Sequence, residues 1–392
     1  MPNCSGDPIL AVNSGSSSLK VAVYEQRNGD EVAILKASAD GVGQSRGRLR
    51  VTDSQAEVLL DESYTLPTQT HALDETVRAL LKFTHTAPAC VGHRVVHGGP
   101  YLRKHQPITG DLLNRLQAAV HFAPLHIPTA IALIKESQRL LPEADQYACF
   151  DTAFHANMPE SSRRFALPRE LYRKGIERYG FHGLSYESIV HRLGEKVPPR
   201  MICAHLGSGA SLAAVRDGIS IDTSMGLTPT GGIPMATRSG DLDPGVLLFL
   251  MRTEKLDPDA FENLLNRDAG LLALSGGEAD MRQLEARARQ GDQKAELAIE
   301  IFATAVRKYI GAYAAELGGF DLLVFTGGIG EHSRHVRERI CSGLEFLGIE
   351  RNADGGFSKL VVMASEEETQ IARHCRRLMH PDNDKECGAI SA

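Results

Sequence analysis

One pattern constrains this chain more than any other. A strand, a turn of glycine and serine and a second strand occur near the start, at residues 9–12, 13–18 and 19–24, and again at 201–205, 206–210 and 211–215. Ser18-Leu19 and Ser211-Leu212 stand 193 positions apart, close to half of the 392 residues. Two readings follow: a duplicated domain, or coincidence between two hairpins of like composition. Between the hairpins, helical periodicity at 72–83, 111–121 and 128–141 alternates with strand-like runs at 90–96 and 146–150. In the second half, helical patterns at 244–252, 281–289 and 293–317 precede a strand at 321–325. Such alternation indicates an α/β architecture. The length exceeds what one core normally serves, which predicts two domains, with the linker just after Phe150.

Composition excludes several classes. A 42% hydrophobic content is too high for disorder. A net charge of −6, from 43 basic and 49 acidic residues without a basic run, offers no footprint for nucleic acid or an anionic membrane. No apolar run is long enough to span a bilayer, and residues 1–10 lack the pattern of a signal peptide, so the expectation is a cytoplasmic protein with a small, soluble ligand. The cysteines, Cys4, Cys90, Cys149, Cys203, Cys341, Cys375 and Cys387, are scattered and contain no CxxC pair. Buried, reduced thiols are expected rather than disulfides or a zinc site.

Several stretches carry chemistry. Asn13-Ser14-Gly15-Ser16-Ser17-Ser18-Leu19-Lys20 lets backbone N–H groups and hydroxyls approach an oxyanion, with Lys20 as a point charge; the same composition also makes an ordinary surface turn. It lacks the Gly-Lys-Ser/Thr and following helix of a Walker loop. His205-Leu206-Gly207-Ser208-Gly209-Ala210-Ser211 and Thr326-Gly327-Gly328-Ile329-Gly330-Glu331 read as two more glycine-rich turns at strand ends, and neither matches the dinucleotide fingerprint. Three such turns favour a nucleotide. Arg94 and Arg238 each stand near glycine, where a guanidinium could hold a carboxylate or phosphate bidentately, or simply face solvent. Asp151 ends an apolar strand, as a catalytic or metal-binding carboxylate or as a helix cap. His182, between Gly180 and Gly183, and His126 are ligand-facing or structural. Glu366-Glu367-Glu368 suits a helix start through the macrodipole, or a Mg²⁺ site.

In this order, Asn-Ser-Gly-Ser-Ser-Ser-Leu-Lys (13–20), His-Arg-Val-Val-His-Gly-Gly (93–99), Phe-Asp-Thr-Ala-Phe-His (150–155), Arg-Tyr-Gly-Phe-His-Gly (178–183), Thr-Ser-Met-Gly-Leu-Thr-Pro (223–229) and Thr-Arg-Ser-Gly-Asp-Leu-Asp-Pro-Gly (237–245) resemble the acetate kinase family, whose relatives include propionate kinases. The resemblance implies a duplicated actin-like (ASKHA, ribonuclease H-like) α/β fold of two domains with a central cleft, and a homodimer. Its first domain would be 1–150, completed by 370–392, and its second 151–369.

It further implies that Arg94 binds the substrate carboxylate, that His182 and Arg238 stabilise the transferring phosphoryl group, and that Asp151 is the catalytic aspartate. Asn13 and Glu367 match Mg²⁺-binding positions, with Mn²⁺ as the alternative metal and Glu368 as the alternative ligand. Lys20, His205, Leu206, Gly207, Ser208, Gly209, Asp280, Met281, Arg282, Gly328, Ile329, Gly330, Glu331 and His332 match the ATP/ADP-binding segments. Val96, Leu125, Phe181 and Pro229 match the apolar niche for the acyl methyl. Ser208, Ile127, Leu184, Gly327 and His332 depart from the usual family residues.

The expected reaction is direct, reversible, in-line transfer of the ATP γ-phosphoryl group to acetate, giving acetyl phosphate and ADP. The acceptor is already ionised at neutral pH, so positioning and charge neutralisation take the place of a strong base. The alternatives are a propionate or other short-chain carboxylate kinase, a nucleotide-gated binding protein without chemistry, and a sugar kinase. The presence of Arg94, His182 and Arg238 together favours an enzyme over a binder.

Overall fold

The structure, a computed structural model, describes residues 6–15, 17–84, 86–352 and 356–381; Cys4, Ser16, Cys387 and the last part of the 370–392 segment lie outside them. The chain divides into two compact units, Met1–Ala153 with Glu366–Ala392, and Phe154–Ser365. The division comes after Ala153 rather than Phe150, and the return to the first unit begins at Glu366 rather than 370. Asp151 and Glu367 therefore both belong to the first unit.

The first unit is built on strands β1 (Ile9–Ser14), β2 (Ser18–Arg27), β3 (Asp30–Asp40), β4 (Gly47–Asp53), β5 (Val58–Tyr64), β6 (Cys90–Val95), β7 (Gln106–Pro107) and β8 (Asp145–Phe150). They form one sheet in the order β5-β4-β3-β2-β1-β6-β8-β7. β1 to β5 run antiparallel to their sequential neighbours, whereas β1, β6 and β8 are mutually parallel. The second unit contains β9 (Arg200–Leu206), β10 (Ala210–Arg216), β11 (Ile219–Thr223), β12 (Leu322–Thr326) and β13 (Leu360–Val362), in the order β11-β10-β9-β12-β13. Here too β11, β10 and β9 are an antiparallel meander and β9, β12 and β13 are parallel.

The order β3-β2-β1-β6-β8 thus recurs, strand for strand and direction for direction, as β11-β10-β9-β12-β13. That topology decides for duplication. The hairpins differ in one respect: Ser14 pairs with Leu19 across four intervening residues, and Leu206 with Ala210 across three. By pairing register Ser14 corresponds to Leu206 and Leu19 to Ala210, offsets of 192 and 191, so the Ser18–Ser211 match at 193 is not the structural equivalence. The first turn is also shorter than expected, because β1 runs through Ser14 and β2 starts at Ser18.

Helices cover both sheets. Gln69–Leu81, capped by Thr68, buries Leu73, Val77 and Leu80 against β2, β3 and β4. Gly110–Ala118 and Ile127–Leu140 follow the predicted patterns within a few residues, as do Pro244–Thr253, Met281–Arg289 and Gln293–Leu317. Thr326–Glu331 is no turn: β12 runs directly into the short helix Gly327–His332. Cys90, Cys149, Cys203, Cys341 and Cys375 are buried free thiols. Among the described residues, no helix is long and apolar enough to cross a membrane.

The helix Glu367–Met379 lies across β1 and β6 and determines the geometry of the first unit's edge. A Cβ on Gly92 would stand 2.4 Å from Ile371 Cγ2 and 2.5 Å from Cys375 Sγ, so only glycine lets the helix approach this closely. Because side chains alternate along a strand, Arg94 emerges on the same face as Gly92, beside the start of that helix. Gly92→Ala is expected to cost about 1–3 kcal/mol through overpacking. A denaturant midpoint equal to wild type would contradict this packing.

Candidate active site

Parallel strands of an α/β sheet direct their carboxyl ends to one edge, and the first unit gathers its charged groups there. Asn13 is near the end of β1, Arg94 near the end of β6, and Asp151 just past β8. Arg94 Nε lies 3.0 Å from both Asp151 oxygens and Nη2 is 2.6 Å from Oδ2, while Nη1 donates to Asn13 Oδ1 at 3.1 Å. Among the described residues, these bonds occupy three of the five guanidinium N–H groups. Asp151 is only 1% exposed. Burial pulls the pKa of Arg94 down, but the charges of Asp151, Glu367 and Glu368 and the hydrogen bond to Asp151 outweigh it and raise the pKa overall.

Asn13 Nδ2 donates to Glu367 Oε2 at 2.9 Å and to Glu368 Oε1 at 2.8 Å. Both glutamates open the helix Glu367–Met379, and Glu367 Oε2 also stands 4.0 Å from Arg94 Nε. Two carboxylate oxygens converging on one atom suit a hard divalent cation, which takes oxygen ligands and keeps part of its water. The donor set fits a metal at Glu367 and Glu368, whereas Asp151 is engaged by Arg94. Lys20 is exposed on β2, directly across the ladder from Asn13.

In the second unit, His182 occupies the left-handed region at φ 59° and precedes the helix Gly183–Leu193. This conformation costs a non-glycine residue about 1–3 kcal/mol and is kept where neighbours overdetermine it. They do so here: His182 Nδ1 lies 2.9 Å from Ser211 Oγ, and its ring stacks on His205 with centroids 4.2 Å apart. His205 and Ser211 are cross-strand partners on β9 and β10. The first turn of the helix locks onto the same pair, through Tyr186 Oη to Ser211 Oγ at 2.6 Å and Ser185 Oγ to His205 Nδ1 at 2.9 Å.

Arg238 arrives from a different loop and donates from Nη1 to the Pro229 carbonyl at 3.1 Å. A Cβ on Gly209 would stand 3.3 Å from His182 Nε2 and 3.6 Å from Arg238 Nη1. The imidazole and the guanidinium therefore face the same glycine, in the turn between β9 and β10. Gly232 N donates to Asp241 Oδ1 at 2.8 Å and Tyr309 Oη donates to Asp241 Oδ2 at 2.5 Å, which closes the neck of the Arg238 loop. Asp241 and Tyr309 were not singled out in the sequence; the aspartate three residues beyond Arg238 was the available signal.

Gly207, Ser208 and Gly209 form that turn, and Gly328 N lies 3.9 Å from where a Cβ on Gly207 would be. Two glycine-rich backbones thus meet at the ends of adjacent strands. Gly327, at φ 76°, has Leu206 O 2.7 Å from its would-be Cβ, so this backbone requires glycine. Leu206 and Gly330 are buried and Ile329 and His332 lie on the helix Gly327–His332. Glu331 turns inward, accepting from Gly327 N and Ser365 N at 3.0 Å each. Asp280 caps the helix Met281–Arg289 and pairs with Arg282 on the surface at 2.6 Å, while Met281 is buried beneath them. Of the expected apolar niche, Val96 is half-buried and Leu125 is 38% exposed in the first unit, and Phe181 and Pro229 are buried in the second. His126 directly precedes the helix Ile127–Leu140.

The sequence model of the acetokinase family matches residues 8–373. The chain belongs to that family. It is 40% identical over 398 residues to an acetate kinase of Desulforamulus reducens, covering 95% of this chain and 100% of the relative. An acetate kinase of Alkaliphilus metalliredigens is 39% identical over 409 residues, with 95% and 100% covered. Among solved structures, a propionate kinase from Francisella tularensis superposes with a TM-score of 0.87 at 34% identity, covering 94% of this chain and 99% of that one. Porphyromonas gingivalis acetate kinase gives 0.83 at 34% identity, with 95% and 100% covered. The duplicated α/β architecture is therefore that of this family of kinases.

The segment leading into His182 rests on a neutral histidine. His155 bonds Phe181 O through Nε2 at 3.1 Å and Ser220 Oγ through Nδ1 at 2.7 Å, and burial pushes its pKa down to about 4. His93, bonded to Gln146 at 2.8 Å, is pushed down to about 4 by burial as well. For both, the unfolded chain binds the proton first on acidification, so stability is full above pH ~6.5 and falls as pH drops from there toward about 4. His93→Gln should flatten this slope in denaturant titrations across that window. An unchanged slope would contradict a neutral buried His93.

Proposed function

We propose that this protein is an acetate kinase that transfers the γ-phosphoryl group of ATP directly to acetate and runs the reaction in both directions. The observation that carries the reading is the meeting of His182 and Arg238 over Gly209, in the glycine turn between β9 and β10. Arg238 supplies a permanent charge and His182 a directional contact to equatorial oxygens. Arg94 binds the carboxylate of the acceptor with the N–H groups that Asp151 and Asn13 leave available. Asp151 acts by holding that guanidinium in place, since it is buried and bonded side-on to it. The glycine backbones of 207–209 and 327–330, with the 280–282 segment, receive the nucleotide, and the exposed Lys20 of the first unit is a point charge for phosphate.

A divalent metal, Mg²⁺ or Mn²⁺, would be held by Glu367 and Glu368 with Asn13 beside them. When bound it neutralises phosphate charge. No strong base is required, because acetate is ionised at neutral pH. The names of the sequence relatives support acetate as acceptor, and the propionate kinase among the structural relatives supports propionate as the second reading. The two acids differ by one methylene, worth about 1–3 kcal/mol in an apolar niche.

Arg238→Ala should lower kcat about a hundred- to a thousand-fold with an unchanged melting temperature, measured as acyl phosphate trapped by hydroxylamine. Arg94→Lys should instead raise KM for acetate more than KM for ATP. Near-normal turnover in Arg238→Ala would refute its role, and a kcat/KM for propionate above that for acetate would reassign the substrate.

We also infer a homodimer. The helix Pro244–Thr253 buries none of its residues, and Leu248, Phe249 and Met251 are 52%, 63% and 52% exposed. Contiguous apolar surface of this kind marks an interaction site, and a second copy is the occupant that the resemblance to dimeric kinases supplies. Phe249→Asp should turn a dimer into a monomer in sedimentation velocity; a monomeric wild type would overturn the assignment.

A further inference from the structure

The hydroxyls around His182 form a chain whose proton directions are determined. Ser211 Oγ is fully buried and has two partners among the described residues, His182 Nδ1 at 2.9 Å and Tyr186 Oη at 2.6 Å. Tyr186 is also fully buried. Burial raises its pKa far above the ordinary range, so the hydroxyl keeps its proton, and the His205 backbone contact works in the opposite sense. Tyr186 Oη has one side-chain partner among the described residues, Ser211 Oγ. The tyrosine proton then has Ser211 Oγ as its acceptor, and the single serine proton has His182 Nδ1. Any other order leaves a buried hydroxyl proton without an acceptor, which costs about 1–3 kcal/mol.

We propose that Ser211 and Tyr186 are positioning residues that hold His182 as the neutral tautomer protonated on Nε2, and that this N–H donates to the phosphoryl group in transit. The second clause rests on the kinase reading; the tautomer does not. The order runs from Tyr186 through Ser211 to Nδ1, leaving the proton-bearing Nε2 at Gly209, the glycine that Arg238 also faces. No bond is made or broken along the chain. With its proton in place, Nε2 has no lone pair with which to attack phosphorus, so the ring acts as a donor and not as a nucleophile. Stacking on His205 and the left-handed backbone fix the ring plane, and the hydroxyl chain fixes which nitrogen carries the proton.

The test is ring-nitrogen NMR on the full-length protein labelled in its histidine side chains, with the His182 signals assigned by their loss in His182→Gln. The expected spectrum shows Nε2 of the pyrrole type and Nδ1 of the pyridine type, shifted by an accepted hydrogen bond. Ser211→Ala should remove that shift and lower kcat about tenfold, the value of one hydrogen bond, with KM for ATP and acetate within about twofold. Because Ser211→Ala strands the Tyr186 hydroxyl, the double variant Ser211→Ala/Tyr186→Phe, which removes both groups, should melt closer to wild type and show the same kcat loss. Nδ1 protonation in the wild type, or full kcat in the double variant, would overturn the proposal. An Nε2–H spectrum in a wild-type protein that forms no acyl phosphate would overturn the donor role and the kinase reading while leaving the tautomer intact.

Discussion

The first unit depends on one guanidinium held among carboxylates. Asp151, Glu367 and Glu368 would repel one another in so small a space, and Arg94 with the Asn13 amide makes their approach favourable. A buried pair of this sort adds little net stability, yet loss of one partner leaves a charge stranded, so geometry rather than strength is what it secures. Two of its members belong to the last helix of the chain. That helix is fastened further along by Arg373 to Asp30 at 3.0 Å and Arg376 to Glu31 at 2.8 Å, and Gly92 lets it settle against β6. The candidate metal and carboxylate groups therefore exist only when the end of the chain has folded back onto its beginning.

The second unit solves a different electrostatic problem on the same topology. Its corresponding edge carries Arg238, the stacked His182 and His205 imidazoles and a glycine backbone, with buried hydroxyls bonded to the imidazoles. The first unit concentrates negative charge around one positive group, whereas the second brings an arginine and an imidazole to a glycine turn. Duplication supplied two equivalent sheet edges, and divergence of a few residues at the strand ends gave them opposite character. His155, kept neutral by burial, supports the donor edge from below without adding charge to it.

Much of this was legible in the residues, for identifiable reasons. The recurring hairpin was visible because glycine and serine at a strand end leave a compositional mark, but the choice between duplication and coincidence came from the strand order. The long helices kept their 3.6-residue period, so Met281–Arg289 and Gln293–Leu317 fall where the pattern places them. The meander β3, β4 and β5 went unread, although Asn28-Gly29, both at positive φ, is a strong hairpin signal between β2 and β3. The pairing of Arg94 with Asp151 was not legible, since residues distant in sequence meet there only through parallel strand register. The tie from Glu331 to the Ser365 backbone was not legible either, because no side-chain pattern encodes a backbone partner.

Chemistry in this account consists of placing and neutralising a phosphoryl group, with no side chain taking it covalently. The direct measurement is the stereochemical course at phosphorus, using ATP made chiral at the γ-phosphorus with oxygen isotopes and analysing the acetyl phosphate formed. A single in-line transfer predicts inversion of configuration. Retention would require two displacements through a phosphorylated enzyme, and would contradict both the donor role of His182 and the direct reaction.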